Sequence, residues 1–133
     1  MSKKIHVFLA DDHAVVREGL KRLIDAEVDM EVCGEAASGI SAVLMAPEVL
    51  PDVIILDISM PELSGAKAAR QLREVCPLTA ILVLTVHEDT SYVRELLQAG
   101  AAGYVLKRSA PNELIHAIRS AATGSGKINP PFR

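Results

Sequence analysis

The sequence predicts an α/β protein, a doubly wound parallel sheet with helices on both faces. Short apolar runs alternate with amphipathic stretches, giving five consecutive βα units. The runs Val53 to Leu56 and Ala80 to Thr85 are continuously apolar, as suits strands covered on both faces. The chain has 133 residues, half of them hydrophobic, with no Trp and only four aromatic rings: Phe8, Tyr92, Tyr104 and Phe132. That is one domain whose core is built from Val, Ile, Leu and Ala.

Each element has its own signal. Ile5 to Ala10 is the first strand. His13 to Glu27 reads as a helix, with Val16, Leu20, Leu23 and Ile24 on one face. Glu31 to Ala36 is shorter of apolar residues and suits an edge strand. Ser38 to Ala46 reads as a helix stopped by Pro47. After the Val53 strand, Ser64 to Val75 is helical, with Ala68, Leu72 and Val75 on its core side. Asp89 or Thr90 caps a helix through Ala99, which Gly100 ends. Gly103 to Leu106 is the last strand. Ser109 and Pro111 open a final helix with Leu114, Ile115, Ile118, Ala121 and Ala122 inward. Residues 1–124 thus form the domain, and 125–133, rich in Gly and Pro, read as a tail or the start of a linker.

Composition narrows the function. Four scattered rings give no platform for stacking single-stranded nucleic acid. A net charge of −3 leaves no basic footprint for a duplex. No apolar run approaches the roughly 20 residues of a membrane span, and no signal-peptide core follows the basic N-terminus. Cys33 and Cys76 lack C-x-x-C spacing and read as buried reduced thiols. His6, His13, His87 and His116 show no ligand spacing; His13, beside an acid pair, is expected at the surface. Neither a G-x-x-x-x-G-K-[ST] nor a G-x-G-x-x-G loop occurs.

The strand ends carry the chemistry. In an open parallel sheet, function gathers at the carboxyl ends of the strands. Here those ends are Asp11-Asp12, Asp57, Thr85 and Lys107. Each has an ordinary structural alternative: Asp12 as a helix N-cap, Asp57 as a turn residue, Thr85 as a strand residue, Lys107 as a solvent-facing side chain. Their joint occurrence is more specific. Three acids against one Lys disfavour joint ionisation, which a hard divalent cation such as Mg2+ relieves. Acids, cation, hydroxyl and ammonium together suit phosphoryl transfer, with a carboxylate as the nucleophile.

These residues carry a resemblance. Asp11-Asp12, the stretch Asp57-Ile-Ser-Met-Pro-Glu-Leu-Ser-Gly65, Thr85 and Lys107 resemble the receiver domain of bacterial two-component response regulators over about residues 4 to 124. The stretches 11–19 (DDHAVVREG) and 99–107 (AGAAGYVLK) resemble the NarL/FixJ subfamily, whose members usually carry a LuxR-type helix-turn-helix output. The resemblance implies a flavodoxin-like, CheY-like (βα)5 fold with strand order 2-1-3-4-5. It implies Asp57 as phosphoacceptor from a sensor histidine kinase. The metal, Mg2+ or Mn2+, would be held by Asp12, Asp11, Asp57 and the backbone carbonyl of Ser59. Lys107 would contact the phosphoryl group, with Thr85 and Tyr104 as switch residues and Ser59 and His87 tuning dephosphorylation.

The resemblance further implies a cytoplasmic phosphoacceptor regulator rather than an enzyme of turnover, with a homodimer as a candidate phosphorylated form. DNA binding would belong to an output domain absent from this chain; a stand-alone regulator is the alternative. Two residues depart from the common pattern. Val86 is bulkier than usual and would restrict access to Asp57, and Arg108 stands where many members have Pro. An aspartate-dependent phosphatase is disfavoured because Ser59, not an acid, lies two residues after Asp57. A flavodoxin-like cofactor binder is disfavoured because Asp11-Asp12 would repel a phosphate.

Overall fold

A computed structural model of the chain describes residues 4–58, 65–85, 90–108 and 111–123. Five strands and five helices alternate: β1 (Ile5–Ala10), α1 (Ala14–Asp25), β2 (Met30–Ala36), α2 (Gly39–Val49), β3 (Val53–Asp57), α3 (Gly65–Val75), β4 (Ala80–Thr85), α4 (Thr90–Gln98), β5 (Gly103–Leu106) and α5 (Pro111–Thr123). The strands form one parallel sheet in the order β2-β1-β3-β4-β5. The polar run β2 takes an edge, as its composition predicts, and the apolar β3 takes the centre.

The period-2 alternation of side chains divides the core into two layers. Phe8 and Ala10 of β1, with Ile54 and Leu56 of β3, pack against Ala42 and Ala46 of α2, Leu72 of α3 and Leu96 of α4. Val7 and Leu9, with Val53 and Ile55, face Ile24 of α1 and Leu114, Ile115 and Ile118 of α5. β3 is buried along its whole length because both layers cover it. The small residues of α2 and α3 let these helices lie close to the sheet.

Four local expectations need correction. Pro47 does not stop α2; it lies inside the helix, which runs on to Val49. Its ring sits near the C-terminal end of the helix. The stop comes at Leu50, left-handed at φ 53°, whose N–H still donates to the Ala46 carbonyl. Pro51 follows, and a residue before Pro is held out of the right-handed helical region. Val75 is 40 % exposed, because it is the last residue of α3 and projects past the sheet. Val16 is also exposed; α1 contributes only Ile24 as a fully buried residue, with Leu20 and Leu23 packed beside it. Cys33, on the edge strand, is only half-buried, whereas Cys76 is buried. Burial raises both thiol pKa values, that of Cys33 to about 11.

Two glycines are required by the backbone. Gly100 has φ +116° and ends the α4 region, as the sequence predicts. A Cβ on Gly65 would stand 2.6 Å from Ile58 Cγ2, so the start of α3 closes onto the end of β3 only without a side chain. Ser59, Val86, His87, Asp89, Ser109 and the tail 125–133 lie outside the described residues.

The corrected α3 face is testable. Leu72→Ala, at a fully buried site, is expected to cost about 2–5 kcal/mol. Val75→Ala should cost well under about 1 kcal/mol. Denaturant unfolding of the two variants measures the difference.

Candidate functional site at the carboxyl edge of the sheet

The parallel register assembles the site. Ala10 of β1 pairs with Leu56 of β3, so the next residues, Asp11 and Asp57, emerge side by side. Asp57 pairs with Leu84 of β4, which puts Thr85 one step further on. Thr85 pairs with Leu106 of β5, so Lys107 follows at the same edge. The Lys107 N–H donates to the Thr85 carbonyl at 2.7 Å, extending the ladder by one bond. One-residue steps at four strand ends thus bring together residues far apart in sequence.

Asp11 and Asp57 are both buried, each about 1 % exposed. Lys107 Nζ donates to Asp57 Oδ2 at 3.2 Å, with its side chain a quarter exposed, so Lys107 is turned into the acid cluster and the solvent-facing alternative does not hold. Thr85 is buried at the end of β4. Tyr104, on β5, is half-buried against the α2–α4 layer. Asp12 is not the cap of α1: the N-cap is His13, whose side chain makes no capping hydrogen bond.

Asp11 is held from several sides. Its N–H donates to the Ala36 carbonyl at 3.0 Å, and its Oδ1 accepts the His13 N–H at 2.8 Å. Arg17 donates to the Asp11 carbonyl at 2.6 Å and to Glu35 Oε1 at 3.1 Å, tying α1, β1 and β2 together below the acid pair. Among the described residues, Asp11 Oδ2 is buried without a hydrogen-bond partner, and buried Asp12 Oδ1 is met by the His13 imidazole alone. Desolvation raises the Asp11 carboxyl above its ordinary pKa. The negative charge of Asp57 adds to this, and the His13 N–H and Lys107 oppose it.

Donor atoms of Asp11, Asp12, His13 and Asp57 lie within 4.8 Å of one another. Buried carboxylate oxygens without donors are costly unless a proton or a cation meets them. This donor set, all carboxylate apart from one imidazole, fits a hard divalent ion. Sequence reasoning found the acids but missed His13 and Arg17. His13 is exposed as expected, its side chain 60 % accessible, yet its Nδ1 reaches Asp12 Oδ1 at 3.0 Å and Asp11 Oδ1 at 3.3 Å. Its place directly after the acid pair was the available signal. Arg17 gave none, because its partner Glu35 lies 18 residues on, in β2.

A doubly wound α/β domain with carboxylates, a hydroxyl and an ammonium at its carboxyl edge defines a class of phosphoryl-handling domains. Within it, the chain belongs to the response regulator receiver domain family, which matches residues 7–119. It is 47 % identical to the uncharacterized transcriptional regulatory protein YxjL of Bacillus subtilis strain 168, over 91 % of this chain and 56 % of that protein. Among solved structures it is similar to a LuxR-family two-component response regulator from Aurantimonas sp. SI85-9A1. That match has TM-score 0.89 and 34 % identity, covering 98 % of this chain and 93 % of the other. It is also similar to the isolated REC domain of RcsB from Salmonella enterica serovar Typhimurium, solved in the presence of the phosphomimetic BeF3−. There the TM-score is 0.85 and the identity 26 %, covering 97 % and 95 % of the two chains. The chain spans about half the length of the curated relatives it matches, 56 % and 54 % of the first two. A receiver domain is a signalling module. Among the described residues, no helix is long and apolar enough to cross a membrane.

The raised Asp11 pKa sets a pH dependence. A carboxyl whose folded pKa exceeds its unfolded value stabilises the fold below the unfolded pKa, and that contribution is lost as pH rises through the folded value. At neutral pH and without added metal, the charged carboxylate therefore works against folding. Asp11→Asn keeps an acceptor for the His13 N–H and is expected to raise the melting temperature at neutral pH. The gain should shrink as pH falls from neutral through the raised folded value and should be gone below about 4, the ordinary unfolded value. Thermal melts between neutral pH and about pH 4 measure it.

Proposed function

We propose that this chain is a phosphorylation switch in which Asp57 is the phosphoacceptor. The observation that carries the reading is the ion pair of buried Asp57 with Lys107, set beside the buried carboxylate oxygens of Asp11 and Asp12. A carboxylate oxygen of Asp57 attacks phosphorus. The new O–P bond replaces the N–P bond of a phosphohistidine on a sensor histidine kinase, and the departing imidazole keeps the electron pair and takes up a proton. Lys107 is placed to bind a phosphoryl oxygen. Thr85, at the neighbouring strand end, has a hydroxyl able to hydrogen-bond another.

Asp11, Asp12 and Asp57 would hold the metal, Mg2+ or Mn2+, together with the carbonyl of Ser59. When bound, such an ion supplies charge neutralisation for the acids and the phosphoryl group. Phosphorylation adds roughly −1.5 to −2 charge. That charge would draw Lys107 and Thr85 inward, and Tyr104 would change rotamer behind Thr85. Ser59 and His87 would tune dephosphorylation, which this chain itself promotes. Near-complete switching needs a differential of about 5.5 kcal/mol, so coupling to homodimerisation would complete it. In the full-length protein, residues 1–124 would act as the receiver, 125–133 would begin the linker, and a helix-turn-helix output would bind DNA in the cytoplasm. The relatives' names as transcriptional regulators support that reading.

Incubation with acetyl phosphate and Mg2+ is expected to add the mass of one phosphoryl group to the intact protein. Asp57→Asn should abolish the adduct, and chelation of the metal should do the same. Equal labelling of Asp57→Asn would refute the assignment. Lys107→Ala should lower the labelling rate by about tenfold or more while leaving the fold intact.

A further inference from the structure

We infer that His13 is a metal ligand, so that the acid cluster also takes a late first-row divalent cation (Co2+, Ni2+ or Zn2+) through imidazole and carboxylates together. This deepens the proposed function and rests on its reading of the cluster as a cation site.

Distances carry the inference. His13 Nδ1 stands 3.0 Å from Asp12 Oδ1 and 3.3 Å from Asp11 Oδ1. Donors bound at right angles to one ion at about 2.1 Å lie about 3.0 Å apart, and tetrahedral donors about 3.4 Å apart. The widest separation in the cluster, 4.8 Å, is only slightly more than the roughly 4.2 Å between opposite donors of an octahedron. His13 Nδ1 is thus as near the two carboxylates as a co-ligand of one ion would be.

Two further observations point to a ligand. Among the described residues, Asp11 Oδ2 is buried without a hydrogen-bond partner, and the Asp11 side chain is only 2 % exposed. Among the described residues, the His13 imidazole makes no ion pair or hydrogen bond beyond those to Asp11 and Asp12. It occupies the N-cap position of α1 without capping the helix, and its ion-pair neighbours are the two acids. Its backbone is nevertheless fixed, through the N–H to Asp11 Oδ1 and the carbonyl that accepts from Arg17 at 3.0 Å. The ring is therefore tethered at the rim of the cluster and remains accessible to solvent.

The chemistry selects the ion. Imidazole suits zinc, nickel and related ions, whereas carboxylate, carbonyl and water suit magnesium and calcium. First-row divalent ions differ in affinity for a given N/O site by a general order, so tight Co2+ binding alone would say nothing of His13. The discriminating quantity is what removal of the imidazole does to each ion separately. A late ion held here would use Asp12 and Asp57 and so compete with the hard cation for them.

Calorimetric titration of the whole chain with CoCl2 alone and MgCl2 alone tests this, on wild type, His13→Ala and His13→Gln. Both variants are expected to lose about tenfold or more in Co2+ affinity. Their Mg2+ affinity should stay within about threefold, since the carboxylates are untouched. The Co2+ visible spectrum should change in the variants as well. Equal Co2+ binding by wild type and variants, or equal losses for both ions, would overturn the inference while leaving the cation site standing. Failure of the wild type to bind either ion would overturn the cation-site reading and the inference with it.

Discussion

Carboxylates meet at one edge of a buried sheet, and much of the molecule is arranged around that repulsion. Asp11 and Asp57 end neighbouring strands and are both almost fully buried, with Asp12 beside them. Like charges a few ångströms apart, away from bulk water, repel strongly. One Lys reaches one of them, and among the described residues Asp11 Oδ2 keeps no hydrogen bond. Such a site is poised to gain from any cation or donor that enters. It is also sensitive to the added charge of a phosphoryl group, and the same electrostatics would serve binding and switching alike.

The rest of the fold maintains this arrangement. Both faces of β3 are covered, so Asp57 sits at the end of a strand that has no freedom to move outward. The two aliphatic layers come from different helices, and the register that pairs Ala10 with Leu56 fixes the side-by-side placement of Asp11 and Asp57. Arg17 and the Ala36 carbonyl hold the Asp11 backbone, so repulsion cannot be relieved by drawing that loop aside. Tyr104 lies on the neighbouring strand β5, half-buried, a position from which a change of rotamer could be read on the surface.

Much of this was legible in the residues. Alternating apolar runs gave every strand within about one residue, because central strands of a parallel sheet are apolar on both faces. The strand-end residues identified the edge, since topology carries parallel ends to one side. What was missed depended on context. Pro47 looked like a helix stop, but a ring near the end of a helix is tolerated, and the stop came three residues later at Leu50. Val75 fitted the periodicity of α3 yet fell beyond the sheet that would have covered it. His13 had no ligand spacing by sequence, because its partners are its immediate neighbours, brought round by the turn from β1 into α1. Arg17 on α1 reaches Glu35 on β2, 18 residues on, a contact that only the fold creates.

The central claim is that this edge takes a phosphoryl group on Asp57 with a cation beside it. A crystal structure of the chain with Mg2+ and beryllofluoride tests it most directly. The account predicts a fluoroberyllate on a carboxylate oxygen of Asp57, Lys107 Nζ against a fluoride, and the ion bonded to Asp12. Beryllofluoride bound elsewhere, or an ion that leaves Asp11 and Asp12 untouched, would contradict it.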